Sequence, residues 1–170
     1  IFMLEQGPSK NTNMQEWDKI WALNKDVIDI KCPRYTAIVS ETRAKLIVEN
    51  GPSEVEAQTH PLHNKNPDLG SKAVLYGKEL YLEQDDVQSI EVGEKITLMK
   101  WGNLTVSSKE VVDGMTVLKG KVDTEDKDFK KTKKLTCITA DQATNFGGVL
   151  NEFDHLNTKK KVEESESVKD

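Results

Sequence analysis

Cysteine is scarce in this 170-residue sequence, which contains only Cys32 and Cys137. Secreted domains that rely on disulfides carry more cysteines at closer spacing, so the pair favours two reduced thiols in a cytoplasmic protein. Long apolar runs are also missing, whereas a membrane-spanning helix needs about 20 such residues. The first residues lack the basic and apolar regions of a signal peptide. These absences predict a cytoplasmic location without membrane contact.

An excess of positive charge is the second feature that the sequence lacks. It has 24 Lys and Arg against 29 Asp and Glu, a net charge of −5 and a pI of about 5.3. This balance argues against a non-specific DNA binder, although local basic patches can still attract an anion. With 36% hydrophobic and 6% aromatic residues, we expect a small core with long polar loops.

Catalytic motifs are missing as well. There is no glycine-rich phosphate loop and no Gly-x-Ser-x-Gly nucleophile turn. His60 and His63 stand close together around Pro61, but no other residues complete a zinc-binding spacing. The residues alone therefore predict a binding module, with no catalytic residue and no metal site.

One amphipathic helix is predicted from Asn13 to Asp29. Asn13 and Glu16 resemble a capping box, and Pro33 prevents the helix from continuing. The apolar positions recur at helical spacing and include Trp17 and Trp21. We expect this stripe to dock on a core, with at least one tryptophan buried.

The sequence after Pro33 is rich in short β-type segments separated by turn residues, which indicates a sandwich or barrel. Asp113-Gly114 lies between two such runs and predicts a hairpin. A long loop is expected from Thr59 to Gly70, and a charged hairpin loop or insertion from Asp123 to Lys134. The predicted strands are RYTAIV, AKLIVEN, KAVLYGKELYLE, SIEVGEKITLMKWGN, LTVSSKEVVDG, MTVLKGKV and KKLTCIT.

The stretch GEKITLMKWGN predicts a strand followed by a turn at Gly102-Asn103. It also places Lys95, Lys100 and Trp101 close together in the chain. A cation beside an aromatic ring suits a single-stranded RNA base and its phosphate. An ordinary strand that enters a turn has the same appearance, so the residues leave both interpretations open.

Several motifs resemble the glutamyl-tRNA synthetases of eukaryotic and archaeal type. They are GPSKNTNMQEWDKIWALNKDVID followed by PRYTAIV, then HPLHNKNPDLGSKAVLYGKELYLEQDD, and the later segments VGEKITLMKWGN and FKKTKKLTCI. The helix with two tryptophans favours the glutamyl over the related glutaminyl enzymes. The chain departs from the family pattern at Ile30, where proline is usual, and at Cys137, where tryptophan is usual.

The resemblance implies a mainly β fold, with an N-terminal helical segment followed by a ribosomal-protein-L25-like β-barrel. It implies a stem-contact segment at residues 1–31, a proximal anticodon-binding barrel at 32–156 and a polar tail at 157–170 that leads to a distal barrel. The full-length enzyme would join glutamate to tRNA with ATP and Mg in a class I catalytic domain. This fragment has neither ATP motif, so we expect it to bind no cofactor and to be inactive alone.

The resemblance also implies which residues meet the tRNA. In the related glutaminyl enzymes, an arginine at the entry to the barrel and basic residues of a later strand face the anticodon. By motif these correspond to Arg34, Lys95, Lys100 and Trp101. An arginine can read a base edge with two hydrogen bonds, whereas a lysine supplies only charge. The lysines from Lys130 to Lys134 would add phosphate attraction, or be a solvated face.

Two other functions remain open at this point. The chain could be a protein-interaction barrel whose partner is another synthetase or a scaffold protein, or the equivalent fragment of a glutaminyl-tRNA synthetase. Under the favoured hypothesis the partner is the anticodon of tRNA(Glu), with multi-synthetase or scaffold proteins as possible further partners. Neither DNA nor a membrane is expected as a partner.

Overall fold

The computed structural model describes residues 4, 7–8, 17–141 and 144–152. These residues belong to two compact units. One unit is Pro33–Gly147, and the other combines the chain up to Cys32 with the chain from Gly148 onward. Neither of the helices that the structure describes is long and apolar enough to cross a membrane.

Helix α1 (Trp17–Ile28) belongs to the N-terminal unit and ends where the sequence predicts. Backbone hydrogen bonds from Asp29 to Lys25 and from Cys32 to Ile28 complete its last turn. None of its residues is buried, and Trp17 is 46% exposed. The expected burial of a tryptophan is therefore not found within this unit, and docking of the apolar stripe on a core stays a prediction. The proposed cap at Asn13 and the tail at 157–170 lie outside the described residues.

The second unit is built from strands, which confirms the mainly β fold. It also contains a one-turn 3-10 helix (Pro67–Leu69) and a short helix, α2 (Gln84–Gln88). The strands are β1 (Arg43–Val48), β2 (Glu56–Pro61), β3 (Ser71–Tyr76), β4 (Glu79–Glu83), β5 (Lys95–Leu98), β6 (Gly102–Val112), β7 (Met115–Asp123), β8 (Lys133–Leu135) and β9 (Ile138–Thr139).

Seven of the strands form one sheet in the order β8-β5-β6-β7-β1-β4-β9, and β2 and β3 form a separate pair. The edge strands β8 and β9 are almost consecutive in sequence. A flat seven-stranded sheet would hold its edges roughly 29 Å apart, whereas the three residues from Leu135 to Ile138 span at most about 11 Å. The chain itself therefore forces the sheet to curl into a barrel-like shape.

The smaller sheet is attached near both edges of the larger one. Thr139 of β9 donates a hydrogen bond to the carbonyl of Leu75 in β3 over 2.7 Å. The neighbouring Tyr76 donates to the carbonyl of Lys100, which follows β5, over 2.8 Å. The end of β3 consequently lies where the curled sheet brings β5 and β9 together.

The core is built mainly from the strands of the larger sheet. In β1 every second residue is buried, whereas β5 buries Ile96, Thr97 and Leu98 in succession. Thirteen buried side chains form one cluster inside the curled sheet. They are Ala44, Leu46, Val48, Leu80, Leu82, Val87, Ile90, Ile96, Leu98, Leu104, Val106, Leu118 and Leu135.

Two turns differ in how well the sequence predicts them. Val112 pairs with Met115, and Asp113 and Gly114 have φ values of 51° and 81°, which confirms a two-residue hairpin. The turn predicted at Gly102-Asn103 is wrong, because both residues already belong to β6. The chain turns earlier, where the Trp101 amide donates to the Leu98 carbonyl over 3.1 Å.

Three other segments also differ from expectation. Residues 34–39 are not a strand, and their exposed side chains give them little core to pack on. Strand β2 is missing from the prediction, because Glu56–Pro61 is polar and almost wholly exposed. Of the two alternatives for the charged segment after β7, the hairpin loop is wrong and the insertion remains, since β8 runs parallel to β5 and does not pair with β7.

Candidate nucleic-acid interface

A cleft of about 200 Å³ lies within the β unit, beside the end of β5. Three of its lining residues carry positive charge, namely Arg34, Lys72 and Lys100. Trp101 supplies an aromatic ring. None of the described residues that line the cleft is acidic. The other lining residues are Thr36, Pro61, Leu62, Asn64, Val74, Leu75, Met99, Thr136, Cys137 and Thr139.

The smaller sheet positions two of the cations. Lys72 stands opposite His60 in the antiparallel pair of β2 and β3. Arg34 lies beside the same sheet, because its amide donates to the carbonyl of Leu62, the residue directly after β2, over 3.4 Å. The Lys72 ammonium donates a hydrogen bond to the Arg34 carbonyl and lies 5.4 Å from the centroid of the Tyr35 ring. This bond links the irregular segment that carries Arg34 to β3.

The turn between β5 and β6 positions Lys100 and Trp101. Lys100 has a φ of 77°, a left-handed conformation that is uncommon for a residue other than glycine. Its ammonium donates to Oδ1 of Asn64 over 3.2 Å. The Trp101 ring packs on Tyr76 with a centroid distance of 4.8 Å and an interplanar angle of 44°. Strand β3 thus holds Trp101 at the cleft, and the segment between β2 and β3 holds Lys100 there.

Electrostatics in the cleft favour an anionic ligand. Partial burial lowers the pKa of Lys72, and the nearby charge of Lys100 lowers it further. Two positive charges in one partly shielded cleft repel each other, so a negative group placed between them would relieve this repulsion. Burial also raises the pKa of the Cys137 thiol to about 12, which keeps this lining residue neutral.

Lys95 lies at the opposite end of β5 from the cleft. Its ammonium forms an ion pair with Asp126 over 2.6 Å, which raises the pKa of Lys95. Hydrogen bonds from Lys95 and from the amide of Asp128 lower the pKa of Asp126 to about 2. The structure therefore brings Arg34, Lys100 and Trp101 together and leaves Lys95 outside the group.

Two of the lysines between 130 and 134, Lys133 and Lys134, are also engaged elsewhere. Lys133 forms an ion pair with Glu94 over 2.8 Å and donates to the carbonyl of Ser89. Lys134 donates to the carbonyls of Phe129 and Thr132 over 2.6 and 3.0 Å. These contacts are those of side chains that fasten a loop. The described residues hold no group of three or more His, Cys, Asp or Glu side chains placed to bind a metal ion.

A comparison with known protein families identifies the family to which the β unit belongs. A model described as the anticodon-binding domain of class I tRNA synthetases (E and Q) matches residues 32–134. The chain belongs to this family. The matched range includes all four cleft residues that carry charge or an indole ring, together with Lys95. Membership of the anticodon-binding family thus agrees with a cleft of cationic and aromatic character.

Similar proteins extend the match beyond the barrel. The chain is 43% identical over 169 residues to a cytoplasmic glutamate–tRNA ligase of Saccharomyces cerevisiae, a match that covers 99% of the chain and 23% of the relative. It is 42% identical over 173 residues to one of Arabidopsis thaliana, with 99% and 24% covered. A bifunctional glutamate/proline–tRNA ligase of Mus musculus is 36% identical over 172 residues, with 99% and 11% covered. The chain spans about a quarter of the length of the first two relatives.

Sequence reasoning missed Lys72, which lines the cleft, and Tyr76, which packs on Trp101 beside it. Both lie in β3, within the motif SKAVLYG. The available signal was the position of Lys72 in an otherwise apolar strand, but its proximity to Arg34 and Lys100 depends on pairing with β2. Since β2 was itself not predicted, no local pattern could place Lys72 in the cleft.

Proposed function

We propose that this chain is the anticodon-binding region of a cytoplasmic glutamate–tRNA ligase that recognises tRNA(Glu). The ATP-dependent and Mg-dependent glutamylation would take place in a class I catalytic domain outside these 170 residues. Family membership and relatives that are named glutamate–tRNA ligases support this assignment. The observation that carries it is the cleft, in which three cations and an indole ring meet without an acidic lining residue.

Each part of the cleft has a role in this proposal. Trp101 offers a ring on which an unstacked base can stack, as aromatic side chains do in proteins that bind single strands. The Arg34 guanidinium reads a base edge, because its planar fork can donate two parallel hydrogen bonds. Lys72 and Lys100 hold the phosphates that flank this base. Lys95, paired with Asp126, contributes only long-range attraction.

The boundaries of the tRNA-binding region follow from the same proposal. Residues 1–31 would contact the tRNA stem, residues 32–156 would form the proximal barrel, and 157–170 would lead to a distal barrel. The exposed apolar side chains of α1 support a contact surface on the first segment, since Trp17, Ile20 and Val27 are all exposed.

Titration of the protein with a transcribed tRNA(Glu) anticodon stem-loop tests the proposal. A scrambled loop on the same stem is the control, and both titrations are repeated at two salt concentrations. We expect tighter binding of the cognate loop and weaker binding of both loops at higher salt, because phosphate contacts release counterions. Equal affinity for the two loops at both salt concentrations would contradict anticodon recognition.

The 170-residue chain contains neither ATP motif of a class I synthetase, so it should not catalyse the chemical step. We expect no glutamate-dependent exchange between ATP and pyrophosphate. The assay uses a full-length relative as the positive control. Turnover by a clean preparation of the chain would show that the catalytic assignment is wrong.

A protein-interaction module is the second candidate function, and one observation favours it. Phe146, Val149 and Leu150 are 94%, 88% and 88% exposed. Apolar side chains so close in sequence and so exposed are typical of a segment that another protein covers. The bifunctional glutamate/proline–tRNA ligases among the relatives make another synthetase domain a reasonable partner. Binding of neither loop in the titration would favour this function.

The related glutaminyl specificity is tested with the same assay. A tRNA(Gln) anticodon stem-loop replaces the scrambled loop in a parallel titration. Preference for the tRNA(Glu) loop is expected, because the relatives named above join glutamate. Preference for the tRNA(Gln) loop would assign the chain to a glutaminyl enzyme.

A further inference from the structure

A chain of two hydrogen bonds leads from β2 to the turn that carries Trp101. Nε2 of His60 and the hydroxyl of Tyr76 are 2.9 Å apart, and the same hydroxyl lies 2.8 Å from the carbonyl oxygen of Lys100. A carbonyl oxygen only accepts, so the single hydrogen of the Tyr76 hydroxyl goes to Lys100. His60 must therefore donate, which assigns the hydrogen of its ring to Nε2.

The turn that receives this bond is strained. In the four-residue turn from Leu98 to Trp101, Lys100 occupies the third position with a φ of 77°. A positive φ at that position is a mark of type II turns, which ordinarily place glycine or asparagine there. A lysine in this conformation persists only where its surroundings hold it. The turn thus requires contacts from outside itself.

Tyr76 is the residue best placed to supply them. It is only 8% exposed, its ring packs on Trp101, and its hydroxyl reaches the Lys100 carbonyl. Burial is also the main cause that raises the pKa of Tyr76, so its hydroxyl keeps the hydrogen that it donates. The ring and the hydroxyl therefore fix both residues of the turn that face the cleft.

We propose that Tyr76, oriented by His60, is a positioning residue that holds Lys100 and Trp101 in the conformation that binds single-stranded RNA. This inference rests on the proposed function, because it concerns the same cleft. Tyr76 contacts the turn rather than the RNA in this arrangement. The hydroxyl group, not the ring alone, carries the effect.

The experiment compares Tyr76→Phe with the unsubstituted protein. This change removes the hydroxyl and keeps the ring that packs on Trp101. We expect the variant to remain folded and to bind the tRNA(Glu) anticodon stem-loop about three- to tenfold more weakly, which is the loss usual for one hydrogen bond. The amide NMR signals of Lys100 and Trp101 should shift in the absence of RNA.

Two further variants separate positioning from packing. His60→Leu removes the donor without touching the turn, and should weaken binding in the same direction by a smaller factor. Tyr81→Phe is the matched control, because Tyr81 lies in β4 with its ring under the Arg43 guanidinium, 4.3 Å from its centroid. This control should leave both the RNA affinity and the two amide signals unchanged.

A double substitution shows whether Tyr76 acts through the turn. In a Trp101→Ala background, Tyr76→Phe should cost less affinity than it does alone, because the ring that it positions is gone. If Trp101→Ala weakens binding but Tyr76→Phe binds RNA as the unsubstituted protein does, the inference is overturned and the proposed function stands. If the unsubstituted protein binds neither loop, both are overturned.

Discussion

The two ends of β5 carry the same kind of residue in opposite electrostatic settings. At one end, the ammonium of Lys95 forms an ion pair with Asp126 and also lies near the charges of Asp123 and Asp128. At the other end, Lys100 shares a cleft with Lys72, and no acidic residue is among the described lining. Strand β5 runs from Lys95 to Leu98, a length of roughly 10 Å, and Lys100 lies in the turn that follows it. The comparison teaches that the neighbours of a lysine, rather than its position in a basic stretch, decide whether its charge is available to a ligand.

The largest effect is expected from Arg34→Ala at the cleft end. Loss of the guanidinium should weaken the cognate anticodon stem-loop by about 1–3 kcal/mol and relax the preference at one anticodon position. Titration with loops that are substituted at each position in turn measures both quantities. Unchanged discrimination between cognate and scrambled loops would show that Arg34 has a structural role, and would favour the protein-interaction function.

A smaller effect is expected from Lys72→Gln, which removes one charge of the cleft and keeps most of the side chain's length. Binding to cognate and scrambled loops should weaken by a similar factor, because a phosphate contact carries no sequence information. The slope of log affinity against log salt should become shallower by about 0.7. A change in loop preference would instead mean that Lys72 contacts a base.

Lys95→Ala should have the smallest effect on RNA binding. The sequence suggests that this change weakens all loops alike, with a salt slope shallower by about 0.7. The ion pair with Asp126 makes us expect less than this, because a neutralised charge releases few counterions. A loss of affinity equal to that of Lys72→Gln would remove the distinction between the two ends of the strand.

The ion pair between Lys95 and Asp126 also predicts that the stability of the fold depends on pH. The pKa of Asp126 is lowered from its usual 3.8 to about 2, so the unfolded chain binds more protons than the folded chain between these values. The contribution of Asp126 to stability is therefore present above about pH 4 and is lost as the pH falls towards 2. The melting temperature of Asp126→Asn should fall less steeply over this range than that of the unsubstituted protein. If the melting temperatures of the two proteins fall equally steeply with pH, the ion pair does not stabilise the fold.

Local sequence patterns predict the strands that bury one face. Short β-type runs between turn residues identify β1, β5 and β7, and the Asp113-Gly114 pair identifies the hairpin, because each signal lies within a few neighbouring residues. Strand β2 gives no such signal, since its ladder with β3 is exposed. The segment RYTAIV gives a misleading one, because its β-type residues have no core face to pack on in the structure.

The site is predictable only in part for a related reason. Arg34, Lys100 and Trp101 come from the family resemblance, and their common location depends on the curled sheet and on β3. The same resemblance includes Lys95, but Lys95 lies at the far end of β5 and is not among the residues that line the cleft. Lys72 reaches the cleft, and Tyr76 reaches Trp101 beside it, through pairing across the smaller sheet, which the sequence does not reveal.

A salt titration of two double variants tests most directly whether the cleft end of β5 binds RNA. One variant carries Lys72→Gln and Lys100→Gln at the cleft, and the other carries Lys95→Gln and Lys133→Gln, whose charges are paired with Asp126 and Glu94. Both lose two positive charges, so the change in net charge is the same. We predict that the cleft variant lowers the salt slope for the tRNA(Glu) anticodon stem-loop by about 1.4, whereas the other variant leaves the slope almost unchanged. Equal changes in slope for the two variants would contradict the account.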